Sequence, residues 1–281
     1  MKLLRYGKPG LERPGLLDGS GNIRDLGEHL PDITGATIGP KALAAIAAID
    51  VQSLPRVTGS PRIGACVGDV RKLVCIGLNY SDHAAEAGMA LPSEPMVFHK
   101  ATSSICGPDD DLELPPGATA LDWEVELGVI IGTKAKGVSE REAMDHVAGY
   151  CAVNDASERD FQLQRQGQMT KGKSHDTFGP IGPWLVTKDD IPDPQALSLS
   201  TKVDGATMQN GTTANMVYPV RMLVAYLSRF MTLEPGDVIA TGTPAGVGMG
   251  MKPAPVYLSA GQVVELEVEK LGRQRHMVVR V

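Results

Sequence analysis

Two carboxylates, Glu124 and Glu126, stand two residues apart in the stretch LDWEVELGVIIG. In a β-strand, residues two apart share a face, and Asp122 falls on that face as well. On a wet surface such a pair is merely solvated. Buried, its charge must be compensated by a partner or a metal ion. The residues that follow, Leu127 to Ile131, are apolar on both faces, as in a strand covered on both sides. A solvated face and a metal site therefore both stay open for this pair. The stretch VVELEVEKLG repeats the spacing with Glu265, Glu267 and Glu269. Those glutamates alternate cleanly with Val264, Leu266 and Val268 and run into Lys270, Gly272, Arg273 and Arg275. That pattern predicts a half-exposed hairpin with a solvated outer face and no chemistry.

A third carboxylate, Asp155, closes the apolar run YCAVND. If its strand neighbours the first, three carboxylates crowd one point and repel, and a divalent cation resolves the repulsion. All-oxygen ligation favours Mg²⁺, Mn²⁺ or Ca²⁺ over Zn²⁺, and three protein ligands leave positions for water and substrate. The alternative is that Asp155 only caps the turn DASE. A rival motif is GQMTKGKS (167–174), which fits the phosphate-binding pattern G-x-x-x-x-G-K-[ST] and would make the chain a nucleotide-binding protein. Such a loop needs a buried strand before it and a helix after it. Here polar SERDFQLQRQ precedes it, and HDTFGPIGPW, broken by Gly and Pro, follows it.

The elements that must position these residues read as mostly strands. The chain has 281 residues, 42% hydrophobic and 21% charged, the composition of an ordinary globular protein. It is poor in aromatics (4%) and holds 32 Gly and 20 Pro, which favours turns and short strands over a helical bundle. Short strands with a turn at DGSGN are expected over 1–30, and a short helix over 41–50. A Pro- and Gly-rich connector at 54–70 sets a boundary near residue 69, giving a small N-terminal domain (1–69) and a larger one (70–281). Strands are expected at KLVCIG, PMVFHKATSSICG, DWEVELGVIIG, YCAVNDASE and GDVIATGTPAGVG, the last running into a Gly-rich loop. Ser139 with Glu142 forms a capping box that predicts a helix over 139–150. Apolar spacing from Val220 to Met231 predicts another, with Pro219 at its first turn. The sum is a β-rich α+β fold. A net charge of −6 argues against nucleic acid or an anionic membrane as partner. No run spans a bilayer, MKLLRYGKPG lacks a signal-peptide core, and Cys66, Cys75, Cys106 and Cys151 lack metal-type spacing. A cytoplasmic protein with reduced, buried thiols is the expectation.

Five segments in order, GLNYSDHAAEAG, DWEVELGVIIG, NDASERDFQ, KGKSHDTFGPIGPW and GDVIATGTPAGVG, resemble the fumarylacetoacetate hydrolase family over about residues 70–250. The resemblance implies a rolled, sandwich-like mixed sheet for the catalytic domain. It also implies a Mg²⁺ or Mn²⁺ ion held by Glu124, Glu126 and Asp155, and a homodimer. His83 and Glu86 match a dyad on a lid over the substrate. Their spacing suits a helical turn, on which the glutamate orients the imidazole so that it deprotonates water. Arg159 and Gln162 match positions that bind the substrate's polar groups. Lys173 matches a lysine that steadies negative charge near the metal. Thr243 and its loop amides match a site for the substrate carboxylate.

The implied reaction is hydrolysis of a carbon–carbon bond in a small anionic 2,4-diketo acid through a metal-stabilised enolate. The substrate would be an acylpyruvate or a diketo-deoxy sugar acid, and the sugar acid is the preferred expectation. The same electron sink serves an oxaloacetate decarboxylase, an isomerase or a lyase, and bacterial members known as ureidoglycolate lyases share the style of these motifs. A binding protein that has lost its chemistry is the non-catalytic alternative, and the matches at all these positions argue against it.

Overall fold

The computed structural model describes residues 1–281. Its main element is a ten-stranded mixed sheet. From one edge its strands run Ile23–Asp25, Arg13–Leu17, Lys2–Tyr6, Gly179–Thr187, Val147–Asn154, Val125–Ile131, Val238–Ala240, Leu73–Gly77 and Met96–Lys100, with Ile105–Cys106 pairing onto Gly179–Thr187. A five-stranded sheet holds Ala206–Thr212, Ser198–Val203, Val263–Val268, Gly272–Arg280 and Leu112–Leu114. The result is the strand-rich mixed fold expected from the sequence, built of open sheets.

Every residue of Val125–Ile131 and of Val147–Asn154 is buried. Alternation sorts their side chains. Val125, Leu127, Val129, Tyr150 and Ala152 join Leu199, Leu266 and Val268 of the smaller sheet in one core. Ile130, Cys151 and Val153 join Leu73, Cys75, Ile181 and Leu185 in a second core on the opposite face. Fully burying one such aliphatic side chain contributes about 1.5–3 kcal/mol, so these two strands are fixed on both sides. Residues 1–69 place three strands at the edge of the large sheet, where Leu3 lies opposite Leu185. Leu3, Leu26, Ile33 and Ile38 lie in the second core. All four cysteines are free thiols. No helix is long and apolar enough to cross a membrane.

The helix expected over 139–150 is shorter. Its capping box is formed, but the α-helix covers Glu140–Ala143, a 3-10 turn covers Met144–His146, and Val147 begins a strand. The residues VAGYCAV are small, β-branched or aromatic and pair with a strand on each side, and that pairing overrides the local helical start. Pro219 stands at the N-cap of Val220–Phe230 rather than inside its first turn.

Gly149 sits where the Val147–Asn154 strand slips register against Val125–Ile131, and it lies opposite Thr187 on the other side. A Cβ there would lie 2.1 Å from the Val186 carbonyl oxygen. Gly149→Ala should therefore destabilise by about 1–3 kcal/mol in chemical denaturation, as overpacking against backbone does. Gly19→Ala, where a Cβ meets nothing within 4 Å, should stay within about 0.5 kcal/mol of wild type.

Candidate metal and catalytic site

The register of the two central strands creates the site. Glu126 lies opposite Val153, and the Asp155 N–H donates to the Glu124 carbonyl at 3.0 Å. Glu124, Glu126 and Asp155 thereby end on one face, each buried, with ligand oxygens all within 4.8 Å of one another. They form one wall of a cavity of about 200 Å³ that His83, Arg159, Gln162, Lys173 and Thr243 also line. Of the residues singled out as ligands or for catalysis and substrate binding, Glu86 and Asp122 do not line it; Glu86 contacts His83.

Cations hold most of these carboxylates. The Lys173 ammonium donates to Glu124 Oε2 at 2.9 Å and to Asp155 Oδ2 at 2.8 Å. Arg159 lies 2.6 Å from Glu124 Oε1, and its Nε donates to Asp122 Oδ2 at 2.8 Å. Sequence reasoning missed Lys100, which is fully buried and donates to Asp155 Oδ1 at 2.5 Å and to the Ala156 carbonyl at 3.0 Å. Its signal was a lysine ending the largely apolar strand MVFHK, on the same face as Met96 and Phe98. Four buried carboxylates thus meet three buried cations. Glu126 is the one left without a cation: its Oε2 accepts only the Gly242 N–H, at 2.8 Å. Burial, with Asp155 and Glu124 alongside, pushes the Glu126 carboxyl well above its ordinary range. Burial also opposes ionisation of Glu124, but Lys173 and Arg159 outweigh it and hold that carboxyl far down. Burial would lower Lys173, yet Asp155 and Glu124 raise it. A divalent cation fits this set: hard oxygen donors converge, and one of them lacks positive charge.

The Gly-rich loop 242–250 wires the remaining parts together. Its Gly242 amide holds Glu126, and its Gly246 amide donates to Glu86 Oε1 at 2.9 Å. Its Gly248 and Met249 amides donate to Asp122 at 2.6 and 3.0 Å. The glycines are required for close approach, since a Cβ at Gly250 would lie 2.3 Å from Glu86 Cδ. These four amides are taken by the protein's own carboxylates. The Thr243 hydroxyl donates to the Val125 carbonyl at 2.8 Å and accepts from Gln209 at 2.7 Å. No regularity of spacing announces this wiring.

His83 and Glu86 share the helix Ser81–Ala87, with Nδ1 3.2 Å from Glu86 Oε2. Burial would raise the Glu86 carboxyl, but His83 and the Gly246 amide bring it below its ordinary value. The imidazole is therefore oriented on one side, which leaves its other nitrogen uncommitted. Arg159 opens the helix Arg159–Leu163, capped by Glu158, and donates to Gln162 Oε1 at 3.1 Å. Asp122, expected beside Glu124 and Glu126, is not in their cluster. The strand is interrupted between Leu121–Asp122 and Val125–Ile131, so simple alternation does not carry across, and Asp122 anchors Arg159 instead.

The stretch 167–174 has no buried strand leading into it. It forms the short helix Met169–Lys173, packed on Arg159–Leu163. A Cβ at Gly172 would lie 2.5 Å from Gln162 and from the Glu158 carbonyl. This glycine serves helix packing that delivers Lys173 to its carboxylates. The C-terminal glutamates stand outside the cavity, where Glu265 pairs with Arg273 at 3.1 Å.

The charge imbalance gives opposite outcomes for two like-for-like changes in chelator-treated protein at pH 8. Glu126→Gln keeps an acceptor for Gly242 and removes a carboxyl that ionises far more readily in the unfolded chain than in this buried site, so at pH 8 it should stabilise by about 1–3 kcal/mol. Glu124→Gln strips Lys173 and Arg159 of a partner and should destabilise by about 3–5 kcal/mol. Denaturant unfolding of both variants reads this directly. Equal destabilisation by the two would contradict the assignment of Glu126 as the unpaired group.

The profile of the fumarylacetoacetate (FAA) hydrolase C-terminal domain matches residues 72–279. A Burkholderia multivorans protein, provisionally named a hydrolase, is 62% identical over 98% of this chain and 97% of its own. A fumarylacetoacetate hydrolase structure from Exiguobacterium antarcticum superposes with a TM-score of 0.86, at 38% identity and with both chains fully covered. The maleylpyruvate hydrolase structure from Sphingobium sp. SYK-6, in complex with manganese(II) and pyruvate, has a TM-score of 0.84 at 27% identity, covering 100% of this chain and 99% of the other. With this fold, this ordered set of motifs and these relatives, the chain belongs to the fumarylacetoacetate hydrolase family.

Proposed function

We propose that the protein is a divalent-metal-dependent hydrolase that cleaves a carbon–carbon bond of an acylpyruvate-type 2,4-diketo acid. The observation that carries this reading is the cationless buried Glu126 beside Glu124 and Asp155, on the wall of a cavity that also presents an oriented histidine and a buried ammonium. Mg²⁺ or Mn²⁺ held by the three carboxylates would supply Lewis-acid charge to the oxygens of a keto acid. The Sphingobium relative supports this choice, since its structure contains manganese(II) and pyruvate, the product class this reaction releases.

The chain's own residues supply the other steps. His83, held by Glu86, takes a proton from water, and the resulting hydroxide adds to the 4-keto carbon. The bond between C3 and C4 then breaks. Its electron pair passes to C3 and onto the pyruvate-type fragment as an enolate, and the acyl fragment leaves as a carboxylic acid. The Lys173 ammonium stands beside the carboxylates where this negative charge develops. Proton return to C3 completes pyruvate. Arg159, steadied by Asp122 and Gln162, keeps cationic character at the wall against which the acid's polar groups would lie.

Two measurements test this reading. Mg²⁺ or Mn²⁺ at a hundredfold excess over Kd should raise stability by ~2.7 kcal/mol. Glu124→Ala should abolish that gain and Glu265→Ala should keep it, so an unchanged response in both would place the metal elsewhere. Steady-state kinetics then separate water activation from the electron sink. His83→Ala should lower hydrolysis by roughly 10²–10⁴-fold and leave metal affinity and oxaloacetate decarboxylation nearly intact. Near wild-type hydrolysis by His83→Ala would reduce the dyad to a structural latch.

A further inference from the structure

The cavity has two unlike halves. One is the charged wall already described. The other is built from Met96 and Phe98 on the strand Met96–Lys100, with Met89, Leu163, Met169 and Met249 around them. Position along one face of that strand marks the division. Lys100 turns to Asp155, whereas Phe98 and Met96, two and four residues before it on the same face, line the cavity. The Lys173 ammonium lies 5.2 Å from the centre of the Phe98 ring, so the apolar wall begins where the charged one ends. Met89 and Leu163 line the cavity while remaining 53% and 49% exposed, large apolar side chains that a bound group of like character would cover.

From this we infer that the group attached to C4 of the substrate is an uncharged, apolar acyl tail, rather than one ending in a second carboxylate or carrying several hydroxyls. The inference rests on the hydrolase reading of the charged wall, and it turns away from the sugar-derived acid that the sequence motifs favoured. A second carboxylate would need a cation of its own, since a buried carboxylate without a partner is strongly disfavoured. The cavity's two permanent cations, Arg159 and Lys173, are already engaged by Asp122, Glu124 and Asp155, and His83, held by Glu86 at Nδ1, has its other nitrogen assigned to water in the hydrolase reading. Lys252, which Glu86 senses, is exposed and does not line the cavity. A polyol tail fares little better: the Gln162 carbonyl and the Thr243 hydroxyl are bonded within the protein, which leaves the Gln162 amide nitrogen as the one donor of this pair for several hydroxyls. Methionines on such a wall adapt to tails of differing shape.

The test compares acetylpyruvate, butyrylpyruvate and succinylpyruvate as substrates of the Mg²⁺- or Mn²⁺-loaded enzyme. Butyryl and succinyl tails match in length, and only the last ends in a carboxylate. Butyrylpyruvate should exceed acetylpyruvate in kcat/KM by roughly tenfold, from two buried methylenes, and succinylpyruvate by roughly a hundredfold. Met96→Lys, with folding checked by its thermal transition, should narrow or reverse the second ratio, and an unchanged ratio would remove the wall from contact with the tail. Calorimetric binding of the straight-chain seven-carbon 2-oxo acid against the seven-carbon 2-oxo diacid reads tail preference without turnover. Succinylpyruvate hydrolysed as well as butyrylpyruvate would overturn the tail assignment and leave hydrolysis standing. No turnover of any of the three, with the monoacid still bound more tightly, would overturn hydrolysis and leave the tail assignment standing. No turnover and equal binding would overturn both.

Discussion

One buried carboxyl without a cation partner organises this molecule. Desolvating a carboxylate is unfavourable by several kcal/mol even after relaxation, and three of them are buried around one point with a fourth, Asp122, behind Arg159, and only three cations meet the four. The arrangement persists because the strands that carry Glu126 and lead to Asp155 are held by apolar packing on both faces. Neither strand can shift to relieve the repulsion without slipping register, which would send every side chain to the opposite face. The fold therefore maintains a centre that asks for further positive charge.

The loop 242–250 extends that constraint to the rest of the site. Its amides meet the unpaired Glu126, the Glu86 that orients His83, and the Asp122 that anchors Arg159. The proposed metal ligand Glu126, the proposed base and Arg159 thus depend on one backbone segment, and its glycines allow carboxylates to approach it closely. The apolar half of the cavity is coupled less tightly. It depends on strand parity at Met96 and Phe98 and on methionines, whose flexibility suits variation in the tail while the charged half stays fixed.

Parts of this were legible in the sequence because they follow short-range rules. Period-two spacing followed by residues apolar on both faces separated Glu124 and Glu126 from the clean alternation at Glu265 and Glu267. The close of an apolar run marked Asp155, and spacing by three put His83 and Glu86 on one helical face. Other parts depend on tertiary contact. Lys100 reads as an ordinary strand-end lysine until its burial on Asp155 is seen. Asp122 has the right parity, but the strand is interrupted after it. Gly172 imitates a phosphate loop and is instead a packing contact against Gln162. The helix expected over 139–150 ended early because sheet pairing on both sides of Val147–Asn154 outweighed a well-formed cap. Which amide meets which carboxylate is decided only once the loop is folded against three separate elements.

The account stands or falls on where a metal ion sits. Anomalous diffraction from crystals grown with Mn²⁺ measures this directly. The account predicts one strong peak in each chain, within ligand distance of Glu124, Glu126 and Asp155, with Glu126 a ligand. A peak elsewhere, or none while Lys173 still bridges Glu124 and Asp155, would contradict it.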